Sequence, residues 1–300
     1  MHPSIEFEKK SFKQISMKRS FELLTAVFAL AFFATSCQED EETPNQLSEV
    51  DVLAVENEAI VESIFEDVDD IGFESVLYFE SGGRTADNED SPIRCAVKTH
   101  DKENKTITID FGEGCEGKHG RVRSGKIVIT YTDRKFVPGA VHTMTFEDFY
   151  VDGRKVEGTR TRTNISDSEN DYLRFRIALE NGKITWEDGT YSTREAIWET
   201  SRIRTPNPIN DERIRTGNAS GMTREGVNYT LTITKPIVWK RGCLQSVRVM
   251  IPVEGAKVKE FGDGNLITID YGDGTCDNLV TITKDGVSET VELKRVQRNG

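Results

Sequence analysis

Only four histidines occur in 300 residues, and those after residue 36 (His100, His119 and His142) lie far apart, with no H-x-x-x-H or H-x-x-E spacing. Zinc needs several nitrogen or sulfur ligands gathered at one point, so neither a structural nor a catalytic zinc site is expected. No C-x-x-C pair occurs, which argues against dithiol redox chemistry and zinc ribbons. No G-x-S-x-G elbow is present; in "GNASG", residues 217–221, the serine stands one place late. No glycine-rich phosphate loop leads from a strand into a helix. Nothing in these patterns implies a cofactor. The longest apolar stretch, Leu23 to Phe33, is about half of what a membrane-spanning helix requires. A basic excess is lacking too: 39 Lys and Arg stand against 51 Asp and Glu, a net charge of −12, which makes the chain a poor general binder of nucleic acid.

What is present begins at Met17, where the sequence reads "MKRSFELLTAVFALAFFATSC". Lys18 and Arg19 form a basic start, Leu23 to Phe33 an apolar centre, and Ala34, Thr35 and Ser36 a small-residue end. That is the layout of a secretory signal, so residues 1–36 are set apart from the fold, with Met17 the better start. A signal that ends directly before Cys37 resembles that of bacterial lipoproteins, with Ala34 where leucine is commonest. The resemblance implies that Cys37 becomes the lipid-bearing N-terminus, so that the chain partners a membrane through its lipid. "QEDEE", Gln38 to Glu42, resembles the acidic export tag of Bacteroidota surface lipoproteins. It implies an outer-membrane location facing the medium, with residues 37–48 as an acidic linker. Loss of residues 1–36 removes five basic and three acidic groups, and the remaining chain carries a net charge of −14.

The 36% hydrophobic content suffices for one large or two modest cores. Residues 49–92 read as an amphipathic helix and a loop. From Val50 to Asp70, Leu53, Ile60, Ile64, Val68 and Ile71 recur at three- to four-residue steps, Val61 and Phe65 widen the stripe, and acids fill the other face. Such a helix must dock on something, and its own β domain is the default; its acidic polar face argues against a membrane-surface helix. Residues 81–92 are a loop. From residue 93 to 300 the period changes to two, as in "KTITIDF", "GKIVITYT", "YLRFRIALE" and "VNYTLTITKPIVW". Asp152-Gly153, Asn181-Gly182, Asp188-Gly189 and Asp285-Gly286 supply the positive φ of tight hairpins. The expected fold is therefore all-β: an antiparallel meander, either a sandwich or a strongly curved sheet, with one N-terminal helix packed on it. Parallel crossovers have no room.

One phrase occurs twice: "ITIDFGEGC" from Ile107 and "ITIDYGDGTC" from Ile267. With Cys37 lipidated, Cys95, Cys115, Cys243 and Cys276 remain, and four cysteines in an exported chain suggest two disulfides with three possible connectivities. If "CAVKTH" pairs with "TITIDF", and "CLQSVRVMI" with "NLITIDY", each late cysteine falls a few residues past its partner's level. The expected bridges are Cys95–Cys115 and Cys243–Cys276, each closing a hairpin. The repeated aspartates also admit a calcium reading, but Asp-Gly turns account for them without a metal.

Arginine pairs at two-residue spacing are the less ordinary feature: Arg160 and Arg162, Arg174 and Arg176, Arg202 and Arg204, Arg213 and Arg215. The spacing places each pair on one face of its strand. Two readings follow. Either the eight form one Arg- and Thr-rich platform for an anionic glycan or envelope polymer, near Trp186, Trp198 and Tyr172. Or they lie on a solvated face and meet Glu157, Glu195, Glu199 and Glu212 across strands. Taken whole, the acidic tag, the acidic helix and the body from "GRVRSGKIVITYT" to "IDYGDGTCDN" resemble an uncharacterised family of Bacteroidota lipoproteins across most of residues 50–295. That resemblance implies location and fold, and no activity. A non-catalytic surface lipoprotein is the expectation; the alternative is a glycan-processing enzyme with an unrecognised carboxylate pair.

Overall fold

A computed structural model describes residues 5–8, 49–83, 91–117, 120–167, 172–243 and 252–295. Cys37, His119 and most of "CLQSVRVMI" lie outside these. The strands are β1 (Ile5–Glu8), β2 (Val97–Asp101), β3 (Thr106–Asp110), β4 (Cys115–Glu116), β5 (Val122–Tyr131), β6 (Val141–Val151), β7 (Arg154–Asn164), β8 (Tyr172–Thr185), β9 (Tyr191–Ile203), β10 (Glu212–Met222), β11 (Asn228–Lys240), β12 (Glu254–Phe261), β13 (Leu266–Asp273), β14 (Leu279–Lys284) and β15 (Val287–Arg295). All join one antiparallel sheet in which each strand from β5 to β15 bonds to its neighbour in sequence; β3 and β2 extend one edge and β1 the other. The fold is thus a single open meander, and of the two expected forms it is the curved sheet.

One helix, α1 (Glu49–Glu80), accompanies the sheet. The stripe expected to end at Asp70 continues through "IGFESVLYFE", and Ile64, Val68 and Ile71 are sealed from solvent. Side chains of α1 touch side chains from β5, β7, β9, β10 and β12. A helix is about 10 Å across, whereas strands β5 to β12 laid flat would span roughly 34 Å. The sheet must therefore curl round the helix.

Bulges supply the curl. Register shifts fall at Ser124/Lys126, Thr145/Tyr150, Glu157/Thr159, Leu179/Gly182, Arg215/Asn218 and Lys235/Val238, in β5, β6, β7, β8, β10 and β11. Gly217, at φ +128°, shows why the crease needs glycine: a Cβ there would run into the carbonyl oxygen of Ile197 on β9. Asn181-Gly182 corrects a sequence expectation. It belongs to this crease inside the 14-residue β8, and the positive φ of Asn181 (53°) serves a bulge and not a hairpin. Asp152-Gly153 and Asp285-Gly286 do turn hairpins, β6–β7 and β14–β15.

The disulfides are Cys95–Cys115 and Cys243–Cys276, with Cα separations of 5.9 and 5.2 Å. The first closes the β2–β3 hairpin as expected. The second does not start a hairpin at Cys243, which sits in a short 3₁₀ turn, Arg241–Cys243, after β11; the strand that pairs with β13 is β12. Asp110 and Asp270 each accept a hydrogen bond from the backbone N–H two residues on, so the repeated phrase is a carboxylate-capped strand end. Replacing Cys95 and Cys115 together by alanine reopens a 20-residue separation and should cost about 3 kcal/mol in the chain-entropy account. Urea midpoints of the oxidised protein and the double variant measure it; equal midpoints would show that the bridge constrains nothing.

Candidate functional site

Amphipathic helices ordinarily leave their charged face in water. Here Glu58, Asp67 and Asp69 of α1 are enclosed by the curled sheet, and Glu62 and Glu66 are partly so. Glu58, Glu62, Glu66 and Asp69 follow one another at three- or four-residue steps and form a stripe along the helix. Glu58 accepts from Arg194 Nη2 at 2.5 Å and Lys259 Nζ at 2.8 Å. Glu62 accepts from Lys257 Nζ at 2.5 Å, and Glu66 from Arg215 Nη1 at 3.0 Å, with Arg213 Nη2 at 3.7 Å. Asp69 receives the Arg160 guanidinium on both oxygens, at 2.9 and 2.7 Å. On a second side of the helix, Asp67 takes Arg123 in the same forked manner, at 2.7 and 2.5 Å.

These groups are buried, so the pairs decide their ionisation. Burial alone would raise the Asp69 pKa; the attraction and hydrogen bonds of Arg160 outweigh it and hold the carboxyl down at about 2. Burial of Glu58 is likewise outweighed by Arg194, Lys259 and Lys257, and its pKa falls far below the usual carboxylate range. Glu58 and Asp69 are thus held as anions.

The eight sequence-selected arginines do not form one surface. Arg160, Arg162, Arg202, Arg213 and Arg215 point inward, at α1. Arg174 and Arg176 point outward and share Glu199 across β9, at 3.6 and 2.9 Å. Arg204 is exposed just beyond β9, over the Phe136 ring. The reason lies in the register: Arg202 stands opposite Leu173 and Arg176 opposite Glu199, so the β8 pair is one residue out of phase with its neighbours. Spacing fixes that two residues share a face, but not which face. Trp186 and Trp198, once grouped with that platform, belong to the main core.

Sequence reading passed over Arg121, Arg123, Arg194, Lys257, Lys259 and Lys135. Two of the missing pairs, in "RVR" at 121–123 and "KVK" at 257–259, carry the same spacing. The signal that could have found them is the matching acidic stripe on the helix.

At the C-terminal end of that stripe the matching fails. One turn beyond Asp69 stands Phe73, yet the cations continue. Lys135 Nζ lies 2.7 Å from the Phe73 ring centre, Arg202 Cζ 4.4 Å and Arg162 Cζ 5.6 Å. A narrow cleft, with room for about one water molecule, lies here between α1 and strands β7 to β10; its lining includes Phe73, Arg162, Thr200, Arg202 and Arg213. Burial, then Arg162 and Arg202, pushes Lys135 down to about 6. Burial, then Arg162 and Lys135, takes His142 to about 4. Burial, then Arg213 and Arg162, takes Arg202 to about 10. Glu80 and Glu74 act on Lys135, and Asp70 on Arg202, in the opposite direction, but do not outweigh burial and the neighbouring arginines. The chain matches no protein-family model, no curated protein and no solved structure.

Proposed function

We propose that this chain is an exported lipoprotein, anchored at the outer membrane through a lipid on Cys37 and facing the medium, whose β domain binds an anionic glycan or envelope polymer without catalysis. The observation that carries the binding half is the end of the stripe, where guanidinium groups gather around Phe73 beyond the last helix carboxylate that pairs with the sheet. Guanidinium groups capture carboxylates and phosphates through two parallel hydrogen bonds. The two disulfides suit an oxidising compartment, and the acidic segment after Cys37 suits surface export. A glycan-processing enzyme would need one carboxyl protonated near neutral pH as its acid. Glu58 and Asp69 are held ionised by their cations, which favours binding over hydrolysis.

Anchoring has a direct test. Cells fed labelled palmitate should label the wild-type protein, and Cys37→Ser should abolish the label and leave the leader uncleaved. Label in the variant at wild-type level would rule out Cys37 as the anchor.

A further inference from the structure

Across strands β9 and β10, Arg202 stands directly opposite Arg213, and Arg162 of β7 meets the same Phe73 ring as Arg202. Like charges directly opposite one another destabilise a sheet unless an anion intervenes. Such anions do intervene further along the helix, at Asp69 and Glu66. The cleft is lined by four arginines (162, 202, 213 and 215) and three carboxylates (Glu66, Asp69 and Asp70), and Arg160 takes Asp69 from outside the lining; counted with it, the arginines exceed the carboxylates by two. Among the described residues, neither Arg162 nor Arg202 has a hydrogen bond or an ion pair; Phe73 is their shared contact. The Nε of Arg162 and the Oγ1 of Thr200 are sealed from solvent without a partner, and Thr200 is only 6% exposed. Buried donors without acceptors are uncommon in folded proteins and call for an explanation.

We propose that the cleft between Phe73 of α1 and strands β7 to β10 is a binding site for the terminal phosphate of a phosphomonoester or for free phosphate. Its two negative charges match the surplus of two. Its oxygens suit the forked donors of Arg162 and Arg202 and the hydroxyl of Thr200. Phe73 forms an apolar wall beside the charged end, against which the ring or chain carrying the phosphate can rest. The cleft as it stands has room for no more than about one water molecule, so binding of a phosphate requires the Arg162 and Arg202 side chains to move apart. This inference rests on the reading of the β domain as a binder of anionic envelope material and names the group that it would grip.

The test titrates the purified full chain in detergent with inorganic phosphate and, separately, with dihexanoylphosphatidic acid, which carries a monoester. Dihexanoylphosphatidylcholine, a diester, is the control, and chloride at matched ionic strength is the blank. Calorimetry should show saturable binding of at least one monoanionic or dianionic phosphate probe and none of the diester. Binding of inorganic phosphate identifies the free ion as sufficient; binding of phosphatidic acid alone identifies a lipid-borne headgroup. Arg162→Gln and Arg202→Gln should each weaken binding at least tenfold, as expected for loss of a charge-assisted hydrogen bond, whereas outward-facing Arg176→Gln should leave it unchanged. Because a cation row without its anion is self-repelling, Arg202→Gln should also unfold at a higher temperature than wild type in phosphate-free buffer, and phosphate should raise the wild-type midpoint above it. A purely structural arginine would give the opposite order. Absence of binding by both inorganic phosphate and phosphatidic acid, or equal weakening by Arg176→Gln, overturns the site. Palmitate labelling of Cys37 is independent of either result, so failure of the cleft and failure of the anchored-lipoprotein reading are told apart.

Discussion

Glu58→Ala should lower the unfolding free energy by about 3–5 kcal/mol, the range for breaking a buried ion pair from one side. Glu58 is the anion shared by Arg194 and Lys259, and its loss leaves both cations enclosed without it. Neither can recover by reaching water, since both side chains are about 5% exposed. The matched comparison is Glu199→Ala, which removes the partner of Arg174 and Arg176 on the outer face. Exposed pairs are worth about 0–1 kcal/mol, and that variant should stay within this range. Urea denaturation of both variants at neutral pH gives the difference. If Glu58→Ala costs no more than Glu199→Ala, the enclosed charges do not hold helix to sheet.

Stability should climb continuously from pH 2 to about pH 10, well past the usual optimum between pH 5 and 8. The enclosed groups agree in sign. Asp69 sits at about 2 when folded, against 3.8 for the ordinary group. Its contribution is complete above about pH 4 and is lost as the pH falls towards 2, amounting to about 2 kcal/mol by the conversion of pKa differences into free energy. Glu58 acts in the same direction. His142 is at about 4 when folded and 6.5 ordinarily, so between those values the unfolded chain holds the extra proton and stability rises with pH. Lys135, at about 6 against 10.5, extends that rise from pH 6 to about pH 10. Tyr271, pushed up to about 12 by burial, reverses the slope once unfolded tyrosine begins to ionise near pH 10. Thermal midpoints measured from pH 3 to 10 give the curve, and Lys135→Met should flatten its upper limb. A maximum at or below pH 6 would contradict this account.

Period-two alternation, turn dipeptides and a three- to four-residue stripe are local properties, so the meander and the helix could be read from residues a few positions apart. The bridge at Cys95–Cys115 was equally legible, because its hairpin is short. What was hidden depends on register and curvature. Asn181-Gly182 looks the same in a hairpin and in a bulge, and only the strands on either side decide between them. The arginines raised the correct question of what balances them. For Arg174 and Arg176 the answer was the expected cross-strand glutamate. For Arg160 and Arg215 it was a helix nearly a hundred residues or more away in the chain, at separations of 91 and 149. No pattern within a strand reports that a sheet will close round a distant acidic element. The cleft beside Phe73 was less legible still, being visible only as the place where two matched rows end at different lengths.

The order of the elements along the chain gives the helix a further role. It is synthesised ahead of strands β2 to β15, and Lys257 and Lys259 reach it only across 195 and 201 residues. Each hairpin can zip with its neighbour as it emerges, but the unfinished sheet carries rows of cations that repel one another across its inner face. The polyanionic helix is the counter-ion for those rows, present from the start and soluble while it waits. Strands gain this electrostatic complement by bending round the helix, and a sheet that stays flat leaves its inner charges unneutralised. Long-range closure of this kind is the slow part of folding. Here the strand bulges and a helix that precedes β2 to β15 act together to favour the curved product over a flat, edge-exposed one.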